Sequence, residues 1–386
     1  MARQHLPKRD RPVGEVPGGF DGAAASQEAV RLAGEQGFVL AGVARADVSE
    51  RRGELAAWLR GGRHGKMEYM SADVAIREDP RGILAGTRAF LVVADQYATR
   101  NEVGGSSSFG VGRIARYAQG RDYHGEMKRR MHRVADALRG RYPFAEFRSC
   151  VDTAPVNERE LAVWAGLGWQ GKNTMLIHPR LGSWLLLGVV ATTLPLRPTL
   201  EGGAGGGAER VPDSCGTCTR CIEACPTGAI TPYSVDGSRC ISYLTIERRG
   251  IPGASAGGTG PETGGWLAGC DVCQEVCPHN SPRRDGSPVG WVHGAYAPTR
   301  TGFALVDVLA WGEEQRRLAL RNSALKRITL DMFKRNAVLA SAHWLRAQPS
   351  HPDAPVLRAR LAHLAADGGE PVPLRLLARG VLDGLS

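Results

Sequence analysis

The sequence predicts a mixed α/β domain, then a small cysteine-rich module, then an all-α region of helical repeats. Three observations support this. Apolar strand-like runs alternate with amphipathic runs up to about residue 196, eight of the nine cysteines crowd between Cys215 and Cys277, and the pattern beyond residue 304 is helical throughout.

Residues 1–22 are basic, then rich in Gly and Pro, and are expected to be disordered. They show neither a secretory nor a twin-arginine export pattern. Residues 27–35 read as a helix, and 38–43 and 89–94 as apolar strands. Residues 124–138 form an amphipathic helix with Met127, Met131, Val134 and Leu138 on one face. A helix over 158–165 and strands over 175–177 and 184–190 complete an α/β domain. Residues 202–207 supply a flexible Gly-rich connector. The cysteine module runs from 211 to 280 and contains a Gly-rich loop at 253–265. Helices over 304–311, 322–329, 331–344, 355–366 and 372–382 read as paired helices of a HEAT-like solenoid. The domain limits are therefore 1–22, 23–200, 201–295 and 296–386.

Cys215, Cys218, Cys221 and Cys225 read C-x₂-C-x₂-C-x₃-C-P, closed by Pro226. Cys240, Cys270, Cys273 and Cys277 end in a second C-x₃-C-P, closed by Pro278. Two-residue gaps converge thiolates on one compact centre, and the three-residue gap sends the last thiolate to the other centre. One [4Fe-4S] cluster is thus assigned to Cys215, Cys218, Cys221 and Cys277, and a second to Cys225, Cys240, Cys270 and Cys273. This is a ferredoxin-like two-cluster module. Structural zinc uses pairs separated by longer spacers, and disulfides would need an exported protein.

Composition is ordinary for a globular protein: 386 residues, 42% hydrophobic and 23% charged. The longest apolar stretch, 184–196, is too short to span a membrane, and oxygen-sensitive clusters without an export pattern indicate the cytoplasm. The net charge of +10 permits a polyanionic partner without requiring one. Between Arg316 and Arg346 the chain carries eight basic residues and one acid, Asp331. Lys326, Arg327, Lys334 and Arg335 are the candidate phosphate contacts, set against a solvated helix face. Gly166 to Gly171 lacks Walker spacing and predicts no nucleotide site.

Several segments together resemble the epoxyqueuosine reductase family. They are Arg77-Glu78-Asp79-Pro80-Arg81, Arg116-Tyr117-Ala118-Gln119-Gly120-Arg121-Asp122-Tyr123-His124, Val151-Asp152-Thr153-Ala154-Pro155, Gly171-Lys172-Asn173-Thr174, Cys240-Ile241-Ser242-Tyr243 and Arg335-Asn336-Ala337. The resemblance implies an α/β cobalamin-binding domain, two [4Fe-4S] clusters and cobalamin as cofactors. It implies tRNA, through its anticodon loop, as substrate, and two-electron removal of the epoxide oxygen from a modified wobble base. It also implies a monomer fed by an external donor such as ferredoxin or flavodoxin, with no membrane partner. Asp152 matches the family's catalytic aspartate, a proton donor whose pKa must be raised to serve; its bland reading is a cap for a helix starting near Pro155. Arg77, Tyr117, Asp152, Lys172, Asn173 and Ser242 are implied around the corrin or its entrance. Asp122-Tyr123-His124 nearly imitates the cobalt-ligating D-x-H-x-x-G pattern, but Met127 replaces its glycine, so no histidine on cobalt is expected. Ala115 stands where some relatives carry a thiol, which makes such a thiol dispensable here. The ninth cysteine, Cys150, reads as a small buried hydrophobe. A reductive dehalogenase and a plain ferredoxin-type electron carrier are the alternatives.

Overall fold

The computed structural model describes residues 14–100, 108–201, 210–250, 262–282 and 289–385. The connector at 202–207 and most of the Gly-rich loop at 253–265 lie outside the described residues. So does the first part of the leader, residues 1–13. Its second part departs from expectation. Phe20 packs edge-on against Tyr142 and Phe144, with ring centroids at 5.7 and 5.9 Å, and the Gly14 N–H donates to the Phe144 carbonyl. One apolar ring in a Gly- and Pro-rich context suffices to anchor the segment.

Helix α1 (Gly22–Glu35) starts where the Asp21 carboxylate accepts the N–H groups of Ala23 and Ala24, meeting two donors that the helix leaves free. Strands β1 (Leu40–Arg45) and β2 (Ala89–Gln96) follow, then the short β3 (Val111–Ile114), helix α2 (Tyr123–Arg141), β4 (Phe147–Cys150), helix α3 (Glu158–Trp164) and β5 (Leu185–Thr192). The main sheet has the order β1-β2-β5-β4, every neighbouring pair antiparallel. The central strand β2 is buried along its whole length, its apolar run at 89–94 and the polar Asp95 and Gln96 alike. Leu91 and Val93 join the core beneath α1 and α2, whereas Phe90 and Val92 join the opposite core, beneath α3. The predicted face of α2 is the one that packs there: Met127, Met131, Val134 and Leu138 are all buried. Glycine at 188 permits that approach, since a Cβ there would lie 2.6 Å from the Met131 sulfur.

The cysteine module is built from two one-turn helices, Arg220–Glu223 and Val272–Glu275, packed on each other. Between them lie helix α4 (Ile241–Ile246) and strand β6 (Trp266–Ala268). After β7 (Gly302–Ala304) the chain is helical: α5 (Leu305–Ala310), a short helix Glu313–Ala319, α6 (Leu330–Ala347), α7 (Ala354–Ala366) and α8 (Val372–Asp383). The helix expected over 322–329 is instead a 3₁₀ turn, Ala324–Arg327. The Ser323 hydroxyl accepts the Leu325 N–H, and Thr329 then caps α6, so two N-caps six residues apart leave room for one turn only.

A second sheet of order β6-β3-β7 joins the three parts, with β3 parallel to β6 and antiparallel to β7. Each part donates one strand.

Candidate active site and cluster sites

Asp152 lies on the loop between β4 and α3, in the left-handed region with φ 55°, a conformation that non-glycine residues adopt only when their surroundings hold them there. Its backbone N–H donates to Glu158 Oε1 at 2.7 Å. Its half-exposed carboxylate meets His124 Nε2 at 3.2 Å, and the other ring nitrogen, Nδ1, lies 2.7 Å from Asp122 Oδ1. His124 sits in the first turn of α2, where Asp122 also caps the helix. Its ring stacks on Tyr123 at 4.1 Å, and Tyr123 in turn packs edge-on against Tyr117. The helix cap after the loop is Asn157, not Asp152, which removes the bland reading of that aspartate.

The electrostatics differ from those expected. The hydrogen bond from His124 holds the Asp152 carboxyl below the usual carboxylate range, against burial, which acts the other way. Asp152 is therefore ionised at neutral pH. Burial pulls the His124 pKa down, but hydrogen bonds to Asp122 and Asp152 outweigh it and carry it up to about 9. Burial, reinforced by the charge of Asp152, pushes Glu158 up to about 7. Neither His124 nor Glu158 was singled out as a site residue on the sequence. The only signal was the Asp-Tyr-His run, set aside as an imperfect cobalt pattern.

Tyr117 occupies the turn after β3, fixed where Asp271 Oδ2 accepts the Arg116 N–H at 2.7 Å. It packs against the buried cluster of Ala115, Ile241 and Trp266, against which Cys270 and Val272 also pack. Arg77 is partly buried, with its Nε lacking a partner. The other residues expected around a corrin touch the cysteine loops. Lys172 Nζ donates to the carbonyls of Gly216 (2.6 Å) and Cys218 (3.1 Å), and Asn173 Nδ2 to that of Cys273 (3.2 Å). Ser242 lies beside Cys240 at the start of α4; burial raises that thiol, and hydrogen bonding from the Ser242 and Tyr243 backbone opposes it.

All nine cysteines are free thiols. Cys215, Cys218, Cys221 and Cys277 line one cavity of about 510 Å³, partly open to solvent, with Lys172, Arg220 and His279 on its wall. The buried Trp169 packs against Cys215 and Cys277, and its indole N–H has no partner, a donor suited to cluster sulfur. Cys225, Cys240, Cys270 and Cys273 form the second set; burial lifts the Cys270 thiol to about 12, so ligation to iron is what would make it a thiolate. Cys150 is core, 4% exposed.

The basic segment divides. Lys326 and Arg327 are exposed beside the Asp152 group: Lys326 Nζ is 3.8 Å from Asp122, and Arg327 pairs with Glu247 at 2.6 Å. Lys334 and Arg335, expected to touch RNA, are buried, which corrects that expectation. Lys334 pairs with Glu370. Arg335, 2% exposed, donates to the carbonyls of Leu244 (2.6 Å), Arg248 (2.6 Å) and Gly250 (2.7 Å). A guanidinium fork at the C-terminal end of α4 meets carbonyls that the helix leaves unpaired. Asn336 adds bonds to the carbonyls of Thr245 and Leu267.

Residues 214–280 match the family described as "4Fe-4S double cluster binding domain", and residues 77–153 match "Epoxyqueuosine reductase QueG, DUF1730". The chain is 35% identical over 376 residues to the epoxyqueuosine reductase of Burkholderia pseudomallei, covering 90% of each chain. It is 36% identical over 323 residues to that of Escherichia coli, covering 80% of this chain and 79% of that one. Among solved structures, it resembles an epoxyqueuosine reductase with an epoxyqueuosine-modified tRNA-Tyr stem loop (TM-score 0.76, 26% identity, 92% of this chain and 88% of that one). It also resembles the Bacillus subtilis enzyme with its catalytic aspartate loop swung out of the active site (TM-score 0.76, 25% identity, 91% and 88%).

Proposed function

The chain belongs to the epoxyqueuosine reductase family, and from that premise we propose that it removes the epoxide oxygen of epoxyqueuosine at the tRNA wobble position, giving queuosine. The match over 90% of the chain carries this reading, and the dehalogenase and electron-carrier alternatives give way to it. The chemistry needs two electrons, a centre that attacks or accepts carbon, and protons for the oxygen. When bound, the two [4Fe-4S] clusters and cobalamin would supply the electrons and the carbon-reactive metal.

The residues present suit those groups. Eight free cysteines would divide into the two ligand sets, with the unmet Trp169 N–H near the first. The Asp152 side would hold a corrinoid through hydrogen bonds. His124 is engaged at both nitrogens, and the unmet Nε of Arg77 is free to meet a corrin amide. Tyr117, edge-on to Tyr123, would form a wall of that site. Lys172, Asn173 and Ser242 act there indirectly, by holding the cysteine loops.

Asp152 would give a proton to the departing oxygen, with Glu158 fixing its backbone. Lys326 and Arg327, exposed at the edge of the site, would hold phosphates of the anticodon loop, from which an unpaired base can be splayed at modest cost. The helices from Leu305 onward would serve as a HEAT-like support for that contact. Among the described residues no helix is long and apolar enough to cross a membrane. We read the protein as a cytoplasmic monomer served by ferredoxin or flavodoxin.

The test is mass spectrometry of nucleosides from epoxyqueuosine-containing tRNA after incubation with reconstituted enzyme, cobalamin and a chemical reductant. Queuosine should appear with the wild type and be lost with Asp152→Asn at unchanged iron content. A wild type that makes none refutes the function, and an active Asp152→Asn refutes the role of Asp152.

A further inference from the structure

Loss of the epoxide oxygen breaks two C–O bonds and forms one C=C bond. It consumes two electrons, which an external donor would pass through the two clusters when bound, and two protons, with the oxygen leaving as water. Asp152 is ionised at neutral pH, because the hydrogen bond from His124 favours its charged form. It cannot give a proton it does not hold, so something must load it.

We propose that His124 is the proton source, passing its Nε2 proton to Asp152 Oδ2 as Asp152 protonates the departing oxygen. This rests on the functional reading above and adds to it a residue that acts through Asp152. The geometry carries it. Both ring nitrogens of His124 face carboxylate oxygens, Nδ1 at 2.7 Å and Nε2 at 3.2 Å. Ionised carboxylates only accept, so the ring must carry hydrogen on both nitrogens, which makes it an imidazolium. Both ends of the 3.2 Å contact are also fixed from outside. Stacking on Tyr123 and the bond to Asp122 set the ring. The Glu158 carboxylate sets the Asp152 backbone.

Capping α2 needs only the Asp122 carboxylate and backbone N–H groups, so that duty leaves the imidazole unexplained. The charged and titratable groups around the pair come from every neighbouring element. They are Asp122 and Tyr123 from the start of α2, Tyr117 from the turn after β3, Glu158 and Arg159 from α3, Tyr69 from the segment before β2, Glu247 from the end of α4, and Lys326 and Arg327 from the helical region. Lys326, 3.8 Å from Asp122, favours the ionised state of that carboxylate. After delivery, His124 regains its proton from solvent, which reaches its partly exposed ring, and the same His124-to-Asp152 relay then delivers the second proton.

The test is single-turnover reduction of an epoxyqueuosine-modified stem loop across neutral to alkaline pH, alongside RNA affinity and iron content. The wild-type rate should fall on an alkaline limb near pH 9. His124→Gln keeps an N–H donor but cannot release a proton. Its rate should drop about 100-fold with RNA affinity and iron unchanged, and the alkaline limb should vanish. Asp122→Asn, which leaves Asp152 untouched, should move the limb down by about one pH unit. A Gln variant with wild-type rate, or a limb unmoved in Asp122→Asn, overturns the proposal. A wild type that converts the stem loop without an alkaline limb also overturns it, leaving the functional reading intact. A wild type that converts nothing fails the functional reading itself.

Discussion

Replacing Arg335 with alanine should unfold the seam between the helical region and the cysteine module without touching RNA binding. The guanidinium holds the carbonyls of Leu244, Arg248 and Gly250 at 2.6 to 2.7 Å from a position 2% exposed. Each buried acceptor left unmet costs about 1–3 kcal/mol. Two of the three follow the end of α4 and regain water in part, so the net loss is about 3–5 kcal/mol, at the upper end for a single substitution. Lysine, a point donor without the planar fork, should recover about half of that. The assay is the urea midpoint of anaerobically reconstituted protein, paired with stem-loop affinity measured where the variant is still folded. A midpoint equal to wild type together with a large loss of RNA affinity would refute the buried-clamp account and restore Arg335 to the RNA surface.

Other expectations follow from the same geometry. Reversing Lys326 and Arg327 together should weaken RNA binding and reduce the logarithmic salt dependence by about 1.4, the value for two single-strand phosphate contacts; an unaltered slope places the RNA elsewhere. Cys240→Ala should halve the iron content, because it removes a ligand from one set only; iron equal to wild type breaks the assignment. Glu158 keeps its proton up to about pH 7 when folded, against 4.5 unperturbed. The folded state therefore binds more protons than the unfolded one within that window, and stability falls as pH rises through it. Glu158→Gln should flatten that part of the curve of thermal midpoint against pH, and superimposable curves would show that Glu158 titrates normally.

How far the sequence could be read depended on what kind of signal each feature leaves. Periodicity marks burial directly, so Met127, Met131, Val134 and Leu138 identified the inner face of α2, and β2 announced itself as an unbroken apolar run. Cysteine spacing carries its own geometry, and it marked the two-cluster module at 214–280 without tertiary information. Charge does not reveal its surroundings. Lys334 and Arg335 read like Lys326 and Arg327 in the chain, yet the first pair is consumed by Glu370 and by backbone carbonyls far away in sequence. The Asp152 environment was hidden for a related reason. Its pKa is set by His124, 28 residues earlier, and its backbone by Glu158, which on the sequence was only the first residue of a helix. Strand β3, four residues with an arginine inside, has too little pattern to be seen alone; its partners define it.

Those partners also impose an order on biosynthesis. Strand β3 is the middle of its sheet, but β6 begins at residue 266 and β7 ends at residue 304. At about 5–20 residues per second, a ribosome needs roughly 10 to 40 seconds after finishing β3 to deliver β7. During that interval the strand has two unsatisfied edges, and the turn carrying Tyr117 has nothing to brace it. Iron loading of the second cysteine set must wait most of that time, since Cys270 and Cys273 emerge directly after β6. Metal insertion and closure of the reaction chamber are thus timed to the same late stretch of translation.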